Sequence, residues 1–400
     1  MPNERLRLGE FVSLMALLTS LVALSIDAML PALSTIGTDL GVQQENGTQL
    51  IVSALFAGFA VGQLFYGPIS DSTGRKRPIY VGLCLFMLGS ILSMSAWSFP
   101  VMLLGRVLQG FGAAAPRIVT IAMIRDQFEG RAMARVMSFV MAVFIIVPML
   151  APALGQAILL VADWRMIFAL LLSLASAVLL WFGMRQHETL PASQRKPFSL
   201  KRIGSAVMEV GHNRWAVGYT ISSGLVFGAF LGYLNSAQQI FQSQFALGTR
   251  FPLYFAALAL SLGCASVLNA QLVMRFGMRL LSRRALQGLC LVSGGFLYYA
   301  WTMGGHPPLW AFMTWGPLTF FCLGLVFGNF NAMAIESLGH IAGVAAAVIG
   351  SVATVISLLL GVLIGQSYNG TVLPLVGGFA ILGVLSLSAM HLTERGLQRR

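Results

Sequence analysis

Twelve apolar runs recur along the 400 residues of this chain, and the short segments between them hold nearly all of its lysine and arginine. A helix that crosses the hydrocarbon core needs about 20 apolar residues. It must also satisfy every backbone polar group internally, because lipid offers no partner. The runs lie at residues 11–36, 49–69, 78–97, 101–124, 132–159, 164–184, 215–241, 251–273, 284–303, 309–333, 343–368 and 373–392. Only 10% of the residues are charged and 57% are hydrophobic, whereas soluble domains carry about 25% charged residues. The expectation is an all-α integral membrane protein with 12 transmembrane helices. Residues 1–25 have the basic start and apolar run of a signal peptide. That run continues past Pro31 without a small-x-small site, so it is read as a retained first span.

The net charge of +12 is not gathered into one stripe or tail, which argues against a nucleic-acid partner. Its distribution sets an orientation instead. With the N-terminus in the cytoplasm, the cytoplasmic segments hold Arg5, Arg7, Arg75–Arg77, Arg125, Arg131, Arg135, a cluster from Arg185 to Arg214, Arg275, Arg279, Arg283, Arg284, Arg395, Arg399 and Arg400. Arg165 and Arg250 fall on the other side, and Arg106 and Arg117 fall inside span four. This bias follows the positive-inside rule and places both termini in the cytoplasm. Residues 186–214 form the long polar connection. They divide the chain into two pseudo-symmetric six-helix bundles, 1–185 and 215–400, with a cytoplasmic linker between them. Gly74-Arg75 after span two is echoed by Gly277-Met278-Arg279 after span eight, with Met274 standing near the place of Asp71. Cys84, Cys264, Cys290 and Cys322 lie in apolar stretches without paired or metal-type spacing, so no metal site is expected.

The connection between spans two and three reads Gly67-Pro68-Ile69-Ser70-Asp71-Ser72-Thr73-Gly74-Arg75-Lys76-Arg77-Pro78. A positive-inside anchor explains its basic residues but not Asp71 or the glycines. This string resembles the signature loop of the major facilitator superfamily. With Gly62-Gln63-Leu64, Asp27–Ala32, Arg106–Gly110, Arg125-Asp126, Trp164–Phe168 and Gly339–Gly343, it is similar to the Bcr/CflA group of bacterial drug:proton antiporters. The resemblance runs through nearly the whole chain in order. It implies a gating role for Gly67, Asp71, Gly74, Arg75 and Asp126: Arg75 would pair with Asp126, and Asp71 would meet the start of span eleven in the outward-open state. It also implies a bacterial inner-membrane location and a monomer driven by the proton gradient without a cofactor.

Ionisable residues inside a span are functional candidates. Asp27 is the acid well inside one. It is read either as the proton-coupling residue, which the resemblance favours, or as a carboxylate paired structurally with Arg106 or Arg117. Those arginines are eleven residues apart, which returns them to one helix face. They are read as cavity charges, with snorkelling as the alternative for Arg117. Pro116 in span four, and Pro148 and Pro152 in span five, predict helix bends, and Gly155 a close helix contact. Ala151 and Gln156 stand where the antiporter group is richer in glycine. The second half offers no buried acid. Its share of the substrate cavity is assigned to Tyr233, Asn235, Gln238, Asn269, Trp315 and Asn331, a mostly aromatic and amide set suited to amphipathic molecules. The first half is therefore expected to hold both the gate charges and the proton site.

The function these residues point to is proton-coupled efflux of drug-like small molecules by alternating access, as drug:H+ antiport. Export of a sugar or other metabolite by the same machinery is the near rival. An embedded enzyme lacks a nucleophile–histidine pair or metal-ligand set, and a channel has less use for a single buried acid.

Overall fold

The computed structural model describes residues 6–395, so Arg5, Arg399 and Arg400, counted above in the tails, lie outside the described residues. Every regular element among the described residues is helical. The α-helices are α1 (Leu8–Asp27), α2 (Leu33–Asp39), α3 (Leu50–Thr73), α4 (Lys76–Met94), α5 (Phe99–Gln127), α6 (Gly130–Leu159), α7 (Arg165–Arg185), α8 (Leu200–His212), α9 (Arg214–Gln238), α10 (Phe251–Phe276), α11 (Met278–Thr302), α12 (Leu309–Ile335), α13 (Ala342–Gln366) and α14 (Leu373–Glu394). Ten helical segments are long and apolar enough to cross a membrane, and one of them, Leu309–Gln366, contains both α12 and α13. α11 is not among the ten. It opens with Arg279, Arg283 and Arg284 and closes with Tyr298, Tyr299 and Trp301, which lower its hydropathy.

Span one departs from the single helix expected over 11–36. α1 stops at Asp27, a 3-10 turn follows at Leu30–Ala32, and α2 resumes at Leu33. Pro31 explains the break. It has no N–H to give the carbonyl four residues earlier, which is that of Asp27, and its ring crowds the same oxygen. Pro116, Pro148 and Pro152 are by contrast carried inside helices that run unbroken through them.

Two connections are shorter than the apolar runs imply. Only Gly74 and Arg75 separate α3 from α4, and only Gly277 separates α10 from α11. Hydropathy marks the apolar middle of a helix, while its charged end turns stay helical outside the apolar run. Asp71 therefore sits in the last turn of α3 rather than in a loop. Gly74 (φ +94°) and Gly277 (φ +77°) both occupy the left-handed region that lets a chain reverse this tightly. Nor is the linker plain coil: α8 lies within it, with Ile203, Ala206 and Val210 buried along one side.

The chain forms two compact units. One holds the residues through Gln43 together with Ala54–Ile203, and the other holds Gln44–Ser53 together with the residues from Gly204 onward. In the first unit α4 packs on α5 and α7, and α1 on α5, α6 and α7. In the second, α11 packs on α12 and α14, and α9 on α12, α13 and α14. The same partners recur in the same order, so the weak sequence repeat is a repeat of packing. α5 packs tightly in the first unit: a Cβ at Gly110 would lie 1.9 Å from the Leu55 carbonyl oxygen of α3. Small residues are what allow such an approach when lipid supplies no hydrophobic drive between helices.

Candidate functional site

The break in span one builds the centre of the candidate site. A helix end leaves its last carbonyls without intrahelical donors. Here the Ser25 carbonyl is taken by Arg106 of α5, whose Nη2 donates to it at 2.8 Å. The other terminal nitrogen of Arg106 bonds the Gln109 side chain, and Gln109 in turn donates to Ser90 of α4 at 2.9 Å. A cation at the C-terminal end of a helix is also where the helix dipole favours one. Arg106 is wholly buried and lies over the Phe168 ring at 5.8 Å. It therefore caps a broken helix, which narrows the expectation of a free cavity charge.

Asp27, the last residue of α1, is 5% exposed. Among the described residues no side chain pairs with its carboxyl within ion-pair or hydrogen-bond distance, so pairing with Arg106 or Arg117 is not what holds it. Arg117 lies instead over the Phe144 ring of α6, with its guanidinium carbon 4.6 Å from the ring centre. Glu10, at the other end of α1, is tied at 2.8 Å to Arg185 of α7. Gly155 of α6 faces the same break: a Cβ there would lie 1.7 Å from the Ala28 carbonyl oxygen. Close contact between α1 and α6 is thus made beside Asp27, one turn beyond Pro152.

The residues of the signature string gather in a second cluster of the first unit. Arg75 is 6% exposed; its Nε donates to Asp126 at 2.8 Å and its Nη1 to Asp71 at 2.5 Å and to the Ser70 hydroxyl at 2.9 Å. The Ser70 hydroxyl in turn donates a hydrogen bond to the Gly67 carbonyl. Burial by itself would lower the Arg75 pKa. The hydrogen bonds and charges of Asp126 and Asp71 outweigh it, so the guanidinium holds its proton more firmly than in water.

The linker completes this cluster in a way the sequence did not show. Glu188 accepts from the backbone N–H of Arg75 at 2.7 Å and of Lys76 at 3.1 Å, so it caps the start of α4. A Cβ on Gly74 would stand 2.5 Å from its Oε2. Thr189 donates to Asp126 at 2.9 Å, and the Lys196 N–H to the Asp71 carbonyl at 2.9 Å. The one sequence signal was an acid followed by a threonine soon after span six. Glu188→Ala is expected to lower stability by about 1 kcal/mol, as loss of other helix caps does. Thermal unfolding of detergent-solubilised protein measures it.

The second unit corrects one expectation. An acid is buried there after all: Glu394 at the end of α14 is 5% exposed. The six cavity candidates each meet a neighbouring group. Tyr233 is packed edge-on against Phe320 at 4.8 Å, and Trp315 stacks on Phe296 at 5.3 Å while donating to Ser293. Asn235 donates to the Gly361 carbonyl and accepts from Ser53, Gln238 donates to Gln242, and Asn269 pairs with Asn329. Asn331 is exposed, with its amide turned back on the Phe327 carbonyl. The physical reason is that buried amides find partners, and aromatic rings in this unit are its core.

Residues 15–362 match the family profile described as the Major Facilitator Superfamily. The chain is 28% identical to the "Bicyclomycin resistance protein homolog" of Haemophilus influenzae, with all of both chains covered. It is 30% identical to the "Multidrug resistance protein MdtL" of Salmonella heidelberg, with 90% of each covered. Its fold matches the partially occluded inward-open xylose transporter XylE from E. coli with a TM-score of 0.74, at 12% identity, covering 96% of this chain and 97% of the other. With the profile spanning most of its length, the chain belongs to the Major Facilitator Superfamily: it is a multi-pass inner-membrane transporter and not an enzyme.

Proposed function

We propose that this transporter exports amphipathic, drug-like small molecules in exchange for protons, working as a monomer without a cofactor. The relatives named for bicyclomycin and multidrug resistance support the substrate class. The observation that carries the proton coupling is Asp27: a buried carboxyl at a helix break, with no cation paired to it among the described residues. A carboxyl in such surroundings is a proton carrier whose charge state follows its access to water. The chain crosses the membrane twelve times, α11 included, with both termini in the cytoplasm; the placement of basic residues supports this. Alternating access then presents a site near the midplane to each side in turn.

Expression in a drug-hypersensitive bacterium tests the substrate class against a panel that includes bicyclomycin and chloramphenicol. Raised resistance to at least one compound, abolished by collapsing the proton gradient, is the expected result. Unchanged susceptibility to every compound shifts the reading to export of a metabolite.

A further inference from the structure

α5 carries two arginines within its apolar length, and the fold treats them differently. Arg106 is taken up by the structure: its terminal nitrogens bond the Ser25 carbonyl and the Gln109 side chain. Arg117 makes no ion pair or hydrogen bond among the described residues, and its Nη1 is enclosed. What it meets there is the Phe144 ring of α6, 4.6 Å from the guanidinium carbon.

Depth decides against snorkelling for this arginine. Phe144 lies midway along α6 (Gly130–Leu159), about 21 Å from either end at the 1.5 Å rise of a helix. Helical side chains also lean toward the N-terminus of their own helix. That lean carries the Arg117 guanidinium away from Gln127, the nearer end of α5. Lipid phosphates lie at the ends of spanning helices, so a headgroup does not reach this guanidinium.

Arginine keeps its charge in proteins. A buried charge is tolerated when it is paired and hydrogen-bonded, and ionisable residues inside spans mark substrate pathways. A guanidinium over an aromatic ring still has N–H groups to donate, and two of them side by side match the two oxygens of a carboxylate. The Arg117 side chain is partly exposed, which leaves a ligand a way in.

We infer that Arg117 binds the acidic group of the transported molecule, which narrows the substrate class to amphipathic organic acids, carboxylates above all. The inference rests on the export reading for what is carried, and on Arg117 for the charge that is selected. It has a consequence for the driving force. An anion leaving and a proton entering both make the interior less negative, so export of an acid draws on the membrane potential as well as the pH gradient.

Isothermal titration calorimetry on the full chain in lipid nanodiscs tests this with dansylglycine, 1-naphthoic acid and 4-phenylbenzoic acid, each against its uncharged amide. At least one acid should bind the wild type roughly tenfold tighter than its amide, the scale of hydrogen bonds to a charged group. Arg117→Gln should remove that preference. Arg117→Lys should keep part of it, because an ammonium supplies the charge without the planar fork. Thermal unfolding separates recognition from a structural role: Arg117→Gln takes away an unpartnered charge and should melt at or above the wild-type temperature. An acid preference that survives in Arg117→Gln overturns the inference, as does a wild type that prefers none of the three acids. A melting temperature lowered by several degrees in Arg117→Gln also overturns it. A protein that confers no drug resistance but prefers acids through Arg117 loses the drug reading and keeps this one.

Discussion

Asp27→Asn is expected to abolish drug-driven proton release from the purified protein while leaving the fold intact. The substitution keeps the shape of the side chain and removes only its titration. No cation is paired with Asp27 among the described residues, so neutralising it strands no partner. Stability should move by less than about 0.5 kcal/mol, the scale of a change that touches no such feature. A coupling residue and a structural one therefore separate cleanly: coupling predicts normal folding with lost proton release, and a structural role predicts the reverse. Fluorescence of a pH indicator on addition of drug reads the first, and thermal unfolding reads the second. Proton release that persists in the variant removes Asp27 from the mechanism.

Gly155→Ala should damage both stability and export, although it adds a single methyl group. That methyl would sit 1.7 Å from the Ala28 carbonyl oxygen, which belongs to backbone and has no rotamer to escape into. α6 must move off α1 at the residue following Asp27. Overpacking of this kind costs typically 1–3 kcal/mol, and the displacement falls on the candidate proton site. A melting temperature lowered by several degrees, with export lost in parallel, is the expected pair of results. Gly294→Ala makes the control, since a Cβ there meets nothing within 4 Å. Wild-type melting and export in Gly155→Ala would show that the α1–α6 contact yields without cost.

The two clusters differ in how far they could be read beforehand. Arg75 and Asp126 were legible because both flank helix ends whose positions follow from hydropathy, and because the string around Arg75 resembles a known signature. Glu188 was not, since 113 residues separate it from the backbone it caps and nothing in a one-dimensional pattern says where a linker folds back. The break at Asp27 could have been found: Pro31 lies four residues on, and that spacing names the carbonyl it deprives. The polar groups assigned to the second-half cavity show what a sequence leaves open. An amide or ring in a span reads the same whether it lines a cavity or satisfies a neighbour, as Asn269 does with Asn329.

By itself the sequence determined that this is a helical membrane protein built as a repeat, with its basic residues clustered between the apolar runs and one acid inside the first of those runs. Those properties follow from hydropathy and charge spacing, which act locally along the chain. The tertiary structure alone decided that Arg106 caps the broken helix and that Asp27 stays unpaired. It also decided that Glu188 returns from beyond α7 to cap the start of α4, and that Glu394 is buried against Tyr219 and Arg283. A hydrogen bond depends on which atoms meet within about 3 Å, and for residues a hundred positions apart only packing sets that distance.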